Sequence, residues 1–272
     1  VTDTSEWQGR AGESWAAEYR RTDRSFTQLT ERLLSEVRPL AFANVLDIGC
    51  GAGELALAIA RSHPAAQVTG VDISPDLIAT ARDRSANLAN LVFERADAAN
   101  HEASLPPDLL ISRHGVMFFD DPTHAFTHLA SEAHPHAALL FSCFRARDEN
   151  PLFTEVGRLL PEPPEDSDPR APGPFAFAER GYVSGMLAQS GWGDVRLEPF
   201  DFPMIVGTGE NAVEDAVCYF TRIGPAAKAA AQMDAAAHAR FRDRALNLAE
   251  RYCYDGIVAL PAAAWIVSAR KI

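Results

Sequence analysis

The sequence predicts an α/β fold: one doubly wound domain around a mostly parallel, seven-stranded sheet, with N-terminal helices before it and a helical insertion ahead of the last strand. Three observations lead there. Residues 45–54, VLDIGCGAGE, read as a buried strand breaking into a glycine turn, and residues 55–61 continue at helical spacing. Strand-like runs recur near 67–73, 91–98, 108–112, 138–144, 194–202 and 264–270, the first several separated by helical patterns, and the first three runs carry acids, Asp47, Asp72 and Asp97, at or near their ends. Finally, 272 residues suit a single α/β domain with a cap better than two independent domains.

The glycine turn is the first element with chemistry in it. Gly49, Gly51 and Gly53 stand at alternate positions, so the backbone can turn tightly and approach a ligand, while the following helix presents unpaired N–H groups. The spacing is GxGxG, whereas the dinucleotide fingerprint is GxGxxG. Asp47 precedes the first glycine by two. A carboxylate there would repel a pyrophosphate, yet it could hold a cationic amino group. Asp72 closes the second strand, where a carboxylate can accept both hydroxyls of a ribose. Ser74, Pro75 and Asp76 then supply an N-cap, a first-turn proline and an early acid for the next helix.

On these residues the chain resembles the class I S-adenosylmethionine-dependent methyltransferases, most strongly over residues 45–144. The resemblance implies a Rossmann-like methyltransferase fold whose last two strands are antiparallel, and S-adenosyl-L-methionine as cofactor. It also implies roles: Gly49, Gly51 and Gly53 as cradle, Asp47 on the amino group, Asp72 with Ile73 at the ribose, and Asp97 with Ala98 at the adenine. Residues 112–118, beginning at Ser112, should face the methyl group, because ligands sit at the carboxyl ends of parallel strands. The string from Ser112 to Phe119 is similar to the SRFGVMFF-type segment of a bacterial methyltransferase subgroup of largely unassigned substrate. It departs from that pattern at His114. His114 is thus the candidate catalytic residue, read either as a general base or, preferentially, as a pocket wall. Two rival readings are a NAD-type oxidoreductase, disfavoured by the glycine spacing and Asp47, and a non-catalytic S-adenosylmethionine-binding protein.

Composition narrows the partners. A formal net charge of −12 argues against a polyanion binder, so no nucleic-acid substrate is expected and a small-molecule acceptor is. No apolar run is long enough for a membrane span and the first residues lack a signal-like segment, which gives a cytoplasmic expectation. The four cysteines, Cys50, Cys143, Cys218 and Cys253, form no CxxC pair and suggest neither zinc nor a disulfide framework. His124 and His128 have metal-ligand spacing on a helix, but without acidic or cysteine partners at recognisable spacing no metal site is assigned.

The rest of the chain is assigned by position. Residues 1–40 are expected to form a helical segment, with Phe26, Leu29, Leu33 and Val37 as one apolar stripe; the resemblance implies that this segment covers the cofactor site, with Trp15 and Arg24 as candidate cofactor contacts. Residues 41–272 form the methyltransferase domain. Within it, residues 145–175, rich in proline and acid, read as a lid-like loop. Residues 208–256 read as a helical cap that shapes the acceptor pocket or a homodimer contact.

Overall fold

The computed structural model describes residues 4–161 and 168–272. Five parallel strands form the front of the sheet: β1 (Asn44–Ile48), β2 (Gln67–Asp72), β3 (Leu91–Arg95), β4 (Leu109–Arg113) and β5 (Ala138–Phe144). Two long strands follow, β6 (Trp192–Thr208) and β8 (Ile257–Lys271), with a two-residue β7 (Cys253–Tyr254) pairing on β8. The order is β3-β2-β1-β4-β5-β8-β6, and β8 runs antiparallel to both β5 and β6. The sheet thus has the seven expected strands plus the short β7.

The chain reverses its winding between β1 and β4, which are neighbours in the sheet though far apart in sequence. A crevice opens at the carboxyl ends of strands at such a switch point. Every residue of β5 is buried, as is most of β1 and β4. Central parallel strands covered on both faces are apolar throughout for that reason.

Twelve α-helices are described. The N-terminal group is α1 (Thr4–Trp7), α2 (Arg10–Ala17), α3 (Tyr19–Ser25) and α4 (Thr27–Val37). The stripe of Phe26, Leu29, Leu33 and Val37 is buried in the main core. Next come α5 (Glu54–Ser62), α6 (Pro75–Arg84), α7 (Pro122–Glu132), α8 (Pro151–Arg158) and α9 (Arg180–Gln189). Ser74 caps α6, its Oγ accepting from Leu77 N with Pro75 in the first turn. Between β6 and β7 lie α10 (Ala212–Arg222), α11 (Ala227–Ala230) and α12 (Ala235–Arg251).

Three local expectations differ from the structure. Strands β6 and β8 extend well past residues 194–202 and 264–270, because Pro203 pairs opposite Pro261 in an antiparallel register where neither needs an N–H. Residues 145–175 contain helix α8, so that stretch is not one loop; residues 162–167, within its proline-rich part, lie outside the described residues. The alanine-rich stretch within residues 225–252, whose composition reads as one helix, breaks into α11 and α12, since Asp234 starts a new helix by accepting from Ala237 N at 2.7 Å.

Candidate functional site

The turn after β1 is built from left-handed backbone. Gly49, Gly51 and Gly53 have φ of 62°, 55° and 85°. A Cβ on Gly49 would meet Gly115 Cα at 2.9 Å, so the β1 and β4 ends approach as backbone against backbone. A Cβ on Gly51 would meet nothing within 4 Å. That space belongs to a cavity of about 1060 Å³ that also takes in Asp47, Asp72, Ile73, Asp97, Ala98, Trp15 and His114. Of the residues singled out in the sequence, the fold therefore gathers nine round one opening, Gly49 and Gly51 included.

Each acid is held in a distinct way. Asp47 is 1% exposed and its Oδ2 accepts from Ala56 N at 3.1 Å, in the first turn of α5. Burial raises its pKa to about 7, with Asp72 adding to the rise and Arg113 and the Ala56 N–H opposing it. Asp72 accepts from Gly51 N and Ser74 N, both at 2.9 Å, so this carboxylate also shapes the glycine turn. Burial pushes it upward too, against the pull of those N–H groups. Asp97 lies exposed at the cavity edge, accepting from Ala99 N at 3.0 Å and Asn100 Nδ2 at 2.9 Å. The Cys50 thiol, also on the cavity, is driven up by burial and by Asp72 and Asp47, so it stays protonated.

Three sequence candidates point elsewhere. Arg24 donates to Ile205 O, Val206 O and Thr208 Oγ1 and pairs with Asp215 at 2.7 Å, which ties α3 to β6 and α10 instead of reaching the cavity. Ser112 is fully buried, its Oγ donating to Ile48 O at 2.6 Å and accepting from Gly115 N at 3.1 Å. Gly53 packs on Phe93, where a Cβ would meet the ring at 2.5 Å. None of the three is among the residues lining the cavity: a strand-end serine or a nearby arginine has no way to announce its direction in one dimension.

Other groups have partners that the sequence does not announce, two of them, Arg113 and Phe118, within the stretch 112–118. Arg113, at the end of β4, donates to Thr30 Oγ1 at 2.7 Å, bonds Glu54 and lies 3.6 Å from Asp23. Burial opposes its charge, but Glu54 and Asp23 more than compensate. Glu54 is raised to about 7, by burial first and then by Asp23, against Arg113. Asp23 in turn pairs with Arg84 at 2.7 Å, and Arg84 lies 4.5 Å over the Tyr19 ring. This network fastens α3 and α4 to the sheet and α5. Trp7 meets Trp15 and Phe118 edge to face at 5.4 and 5.2 Å, an aromatic cover on the cavity. Gly12 allows that cover to close, since a Cβ there would clash with Ser74 Oγ at 2.3 Å.

His114 has φ of 63° and is 7% exposed. Its ring lies between Phe144, 4.1 Å away, and Phe26, edge to face at 5.2 Å. Nδ1 is 3.2 Å from Ser142 Oγ, while Nε2 is buried with no partner among the described residues. Burial, with help from Arg113, lowers its pKa to about 3, so the imidazole is neutral. His124 and His128 reach Asn100 Oδ1 and His101 O, and among the described residues no three metal-ligating side chains cluster. No described helix is long and apolar enough to cross a membrane.

Comparison with known proteins agrees with this geometry. The family profile described as "Methyltransferase domain" matches residues 45–135. Trans-aconitate 2-methyltransferase of Methylobacterium nodulans is 31% identical over 149 residues, 55% of this chain and 56% of the relative. Malonyl-[acyl-carrier protein] O-methyltransferase 1 of Ilyobacter polytropus is 29% identical over 119 residues, 44% of each chain. The chain thus spans about half the length of the curated relatives it matches. Among solved structures, the YcgJ protein of Bacillus superposes with a TM-score of 0.59 at 16% identity, covering 90% of this chain and 98% of that one. Haemonchus contortus phosphoethanolamine N-methyltransferase 2, solved with S-adenosylhomocysteine, gives 0.55 at 17% identity over 90% of this chain and 52% of its own; at such identities the likeness speaks for the fold. Residues 45–135 thus match a methyltransferase domain, and the sheet order and glycine turn around them agree with the Rossmann-like fold of these structural neighbours.

Proposed function

We propose that this chain transfers a methyl group from S-adenosylmethionine to a small-molecule acceptor. The observation that carries the proposal is the single cavity of about 1060 Å³ running from the three acidic strand ends to an aromatic end around His114. Sites for one drug-sized ligand occupy roughly 300–1,000 Å³, so this one has room for a nucleoside and an acceptor side by side. One relative, a trans-aconitate 2-methyltransferase, is named for a small acceptor, and another for a malonyl group on an acyl-carrier protein.

In this reading the open face of Gly51 takes the amino-acid part of the cofactor beside Asp47, whose carboxylate is the counter-charge for an ammonium. Asp72 spends one lone pair of each oxygen on Gly51 N and Ser74 N, leaving others for two ribose hydroxyls. Asp97 and the Ala98 backbone face the adenine edge, and Trp15 covers it from α2. When bound, the cofactor supplies an electrophilic methyl on a sulfonium. The protein's part is alignment and exclusion of water, by the rings of Trp7, Phe26, Phe118 and Phe144.

Calorimetry tests the assignment. Saturable binding of S-adenosylmethionine and S-adenosylhomocysteine is expected, without comparable NAD binding. Tight NAD binding and silence toward both sulfur ligands would overturn it, and methyl transfer to any acceptor separates an enzyme from a mere binding protein.

A further inference from the structure

The order of the sheet divides the cavity. Asp47, Asp72 and Asp97 stand at or near the ends of β1, β2 and β3, on one side of β4, whereas Phe144 closes β5 and Met204 comes from β6 on the other. Around Phe144 the wall is apolar. The rings of Phe26 and Phe153 lie 6.2 and 5.2 Å from it, Phe144 N donates to Met117 Sδ at 3.4 Å, and Leu152 and Met204 continue the lining. Phe153 is half-buried and also meets Phe175 edge to face at 4.9 Å, which makes a cluster of three rings with Phe144. Polar groups at this end are engaged within the protein: Tyr219 donates its hydroxyl to Ser25 Oγ at 3.1 Å, and His114, neutral with its pKa lowered to about 3, has Nδ1 3.2 Å from Ser142 Oγ. Of the cavity's cations, Arg113 is bonded to Glu54, Arg222 to Glu18 and Lys228 to Glu6, while Arg147 lies over the Phe175 ring at 5.2 Å and Arg10, on α2, is exposed. Phe144, Leu152, Phe153 and Met204 all lie beyond residues 45–135, so the segment matched by the family profile does not dictate this wall.

We infer that this end of the cavity binds an aromatic ring and that, given the methyltransferase reading on which this rests, the acceptor is a neutral or singly charged aromatic molecule and not a polycarboxylate. A ring set against Phe144 and Phe153 takes apolar area out of water and makes the edge-to-face or offset contacts that π-systems favour. A tricarboxylate such as trans-aconitate would lose the hydration of each charge it brought to this wall, and the paired state of Arg113, Arg222 and Lys228 leaves little to offset that cost. Recognition of the acceptor therefore differs here from what the name of the trans-aconitate relative describes.

The test uses the intact chain loaded with S-adenosylhomocysteine and titrated with 2-naphthol, with its saturated counterpart decahydro-2-naphthol and with trans-aconitate. 2-Naphthol should bind saturably and more tightly than either of the others, and in the wild type its protons should show nuclear Overhauser contacts to the rings of Phe144 and Phe153. Phe153→Ala should weaken 2-naphthol by roughly threefold to tenfold, the scale of one aromatic contact, with Phe153→Leu losing less and S-adenosylhomocysteine affinity retained in both. Tighter binding of trans-aconitate, no preference for 2-naphthol over the saturated ring, or unchanged 2-naphthol affinity in a Phe153→Ala protein that still loads would each overturn the inference. Absence of the Overhauser contacts in the wild type does so as well, whatever becomes of the variants. Loading is measured separately by calorimetry, so a protein that does not take S-adenosylhomocysteine defeats the underlying reading, while one that loads but fails with the ring probes defeats this inference alone.

Discussion

Asp47→Asn should make the unliganded protein more stable, and increasingly so as pH rises. Asp47 is 1% exposed and its pKa stands at about 7 against an ordinary 3.8. A carboxylate with a raised folded pKa is easier to ionise in the unfolded chain, so the folded state loses stability as pH climbs from the unfolded value through the folded one. Once Asp47 is fully ionised in both states the penalty is about 4 kcal/mol, at roughly 1.36 kcal/mol per pH unit between the two pKa values. Between pH 5 and 8 the part that develops is about 2–3 kcal/mol. Asparagine carries no charge to bury and can still accept from Ala56 N through its amide oxygen. Urea denaturation of wild type and variant at pH 5, 6, 7 and 8 measures the difference, because the midpoint moves with stability when the slope is unchanged. The advantage of the variant should grow over this range and level off above it. A difference that is constant with pH, or that shrinks, would refute the argument that burial dominates at Asp47.

The same titration governs ligand binding: below pH 7 the ammonium-binding form of Asp47 becomes scarce, so S-adenosylmethionine affinity should fall by about fivefold from pH 7 to 6, read by calorimetry at both pH values. Asp72→Ala should weaken cofactor binding by about 1.5–3 kcal/mol and, because Gly51 N and Ser74 N lose their acceptor, should also loosen the glycine turn, whereas Asp72→Asn should spare more of the turn. Unchanged affinity in a folded Asp72 variant would put the ribose elsewhere. Arg24→Ala should lower the thermal midpoint, costing roughly 1–3 kcal/mol through Asp215 and the β6 carbonyls, with cofactor affinity intact; a selective loss of affinity would contradict its scaffold role. Activity on an identified acceptor should show no acid limb assignable to His114 between pH 5 and 8, since its pKa lies near 3, and such a limb surviving in Asp47→Asn and Glu54→Gln would argue for a base.

What the sequence determined by itself lies in short-range pattern. Glycines that must be left-handed, a serine and proline that start α6, and apolar runs long enough for buried strands are local facts, and the acids at Asp47, Asp72 and Asp97 follow from strand ends whose direction in a parallel sheet is common to all. Direction and partnership of side chains were decided only by the tertiary structure. Arg24 and Arg113 both neighbour the site in sequence terms, yet Arg24 turns to Asp215, 191 positions away by their numbering, while Arg113 ties Glu54 to Asp23. Pro203 and Pro261 hid the true length of β6 and β8, because a proline reads as a break until its antiparallel partner is known to need no N–H. His114 shows the division most plainly: its identity was visible as a departure from a pattern, but its burial and its neutrality come from Ser142 and Phe144 on β5 and from Phe26 between α3 and α4. Burial and pairing at that distance depend on how the whole chain packs, and no spacing along the sequence encodes them.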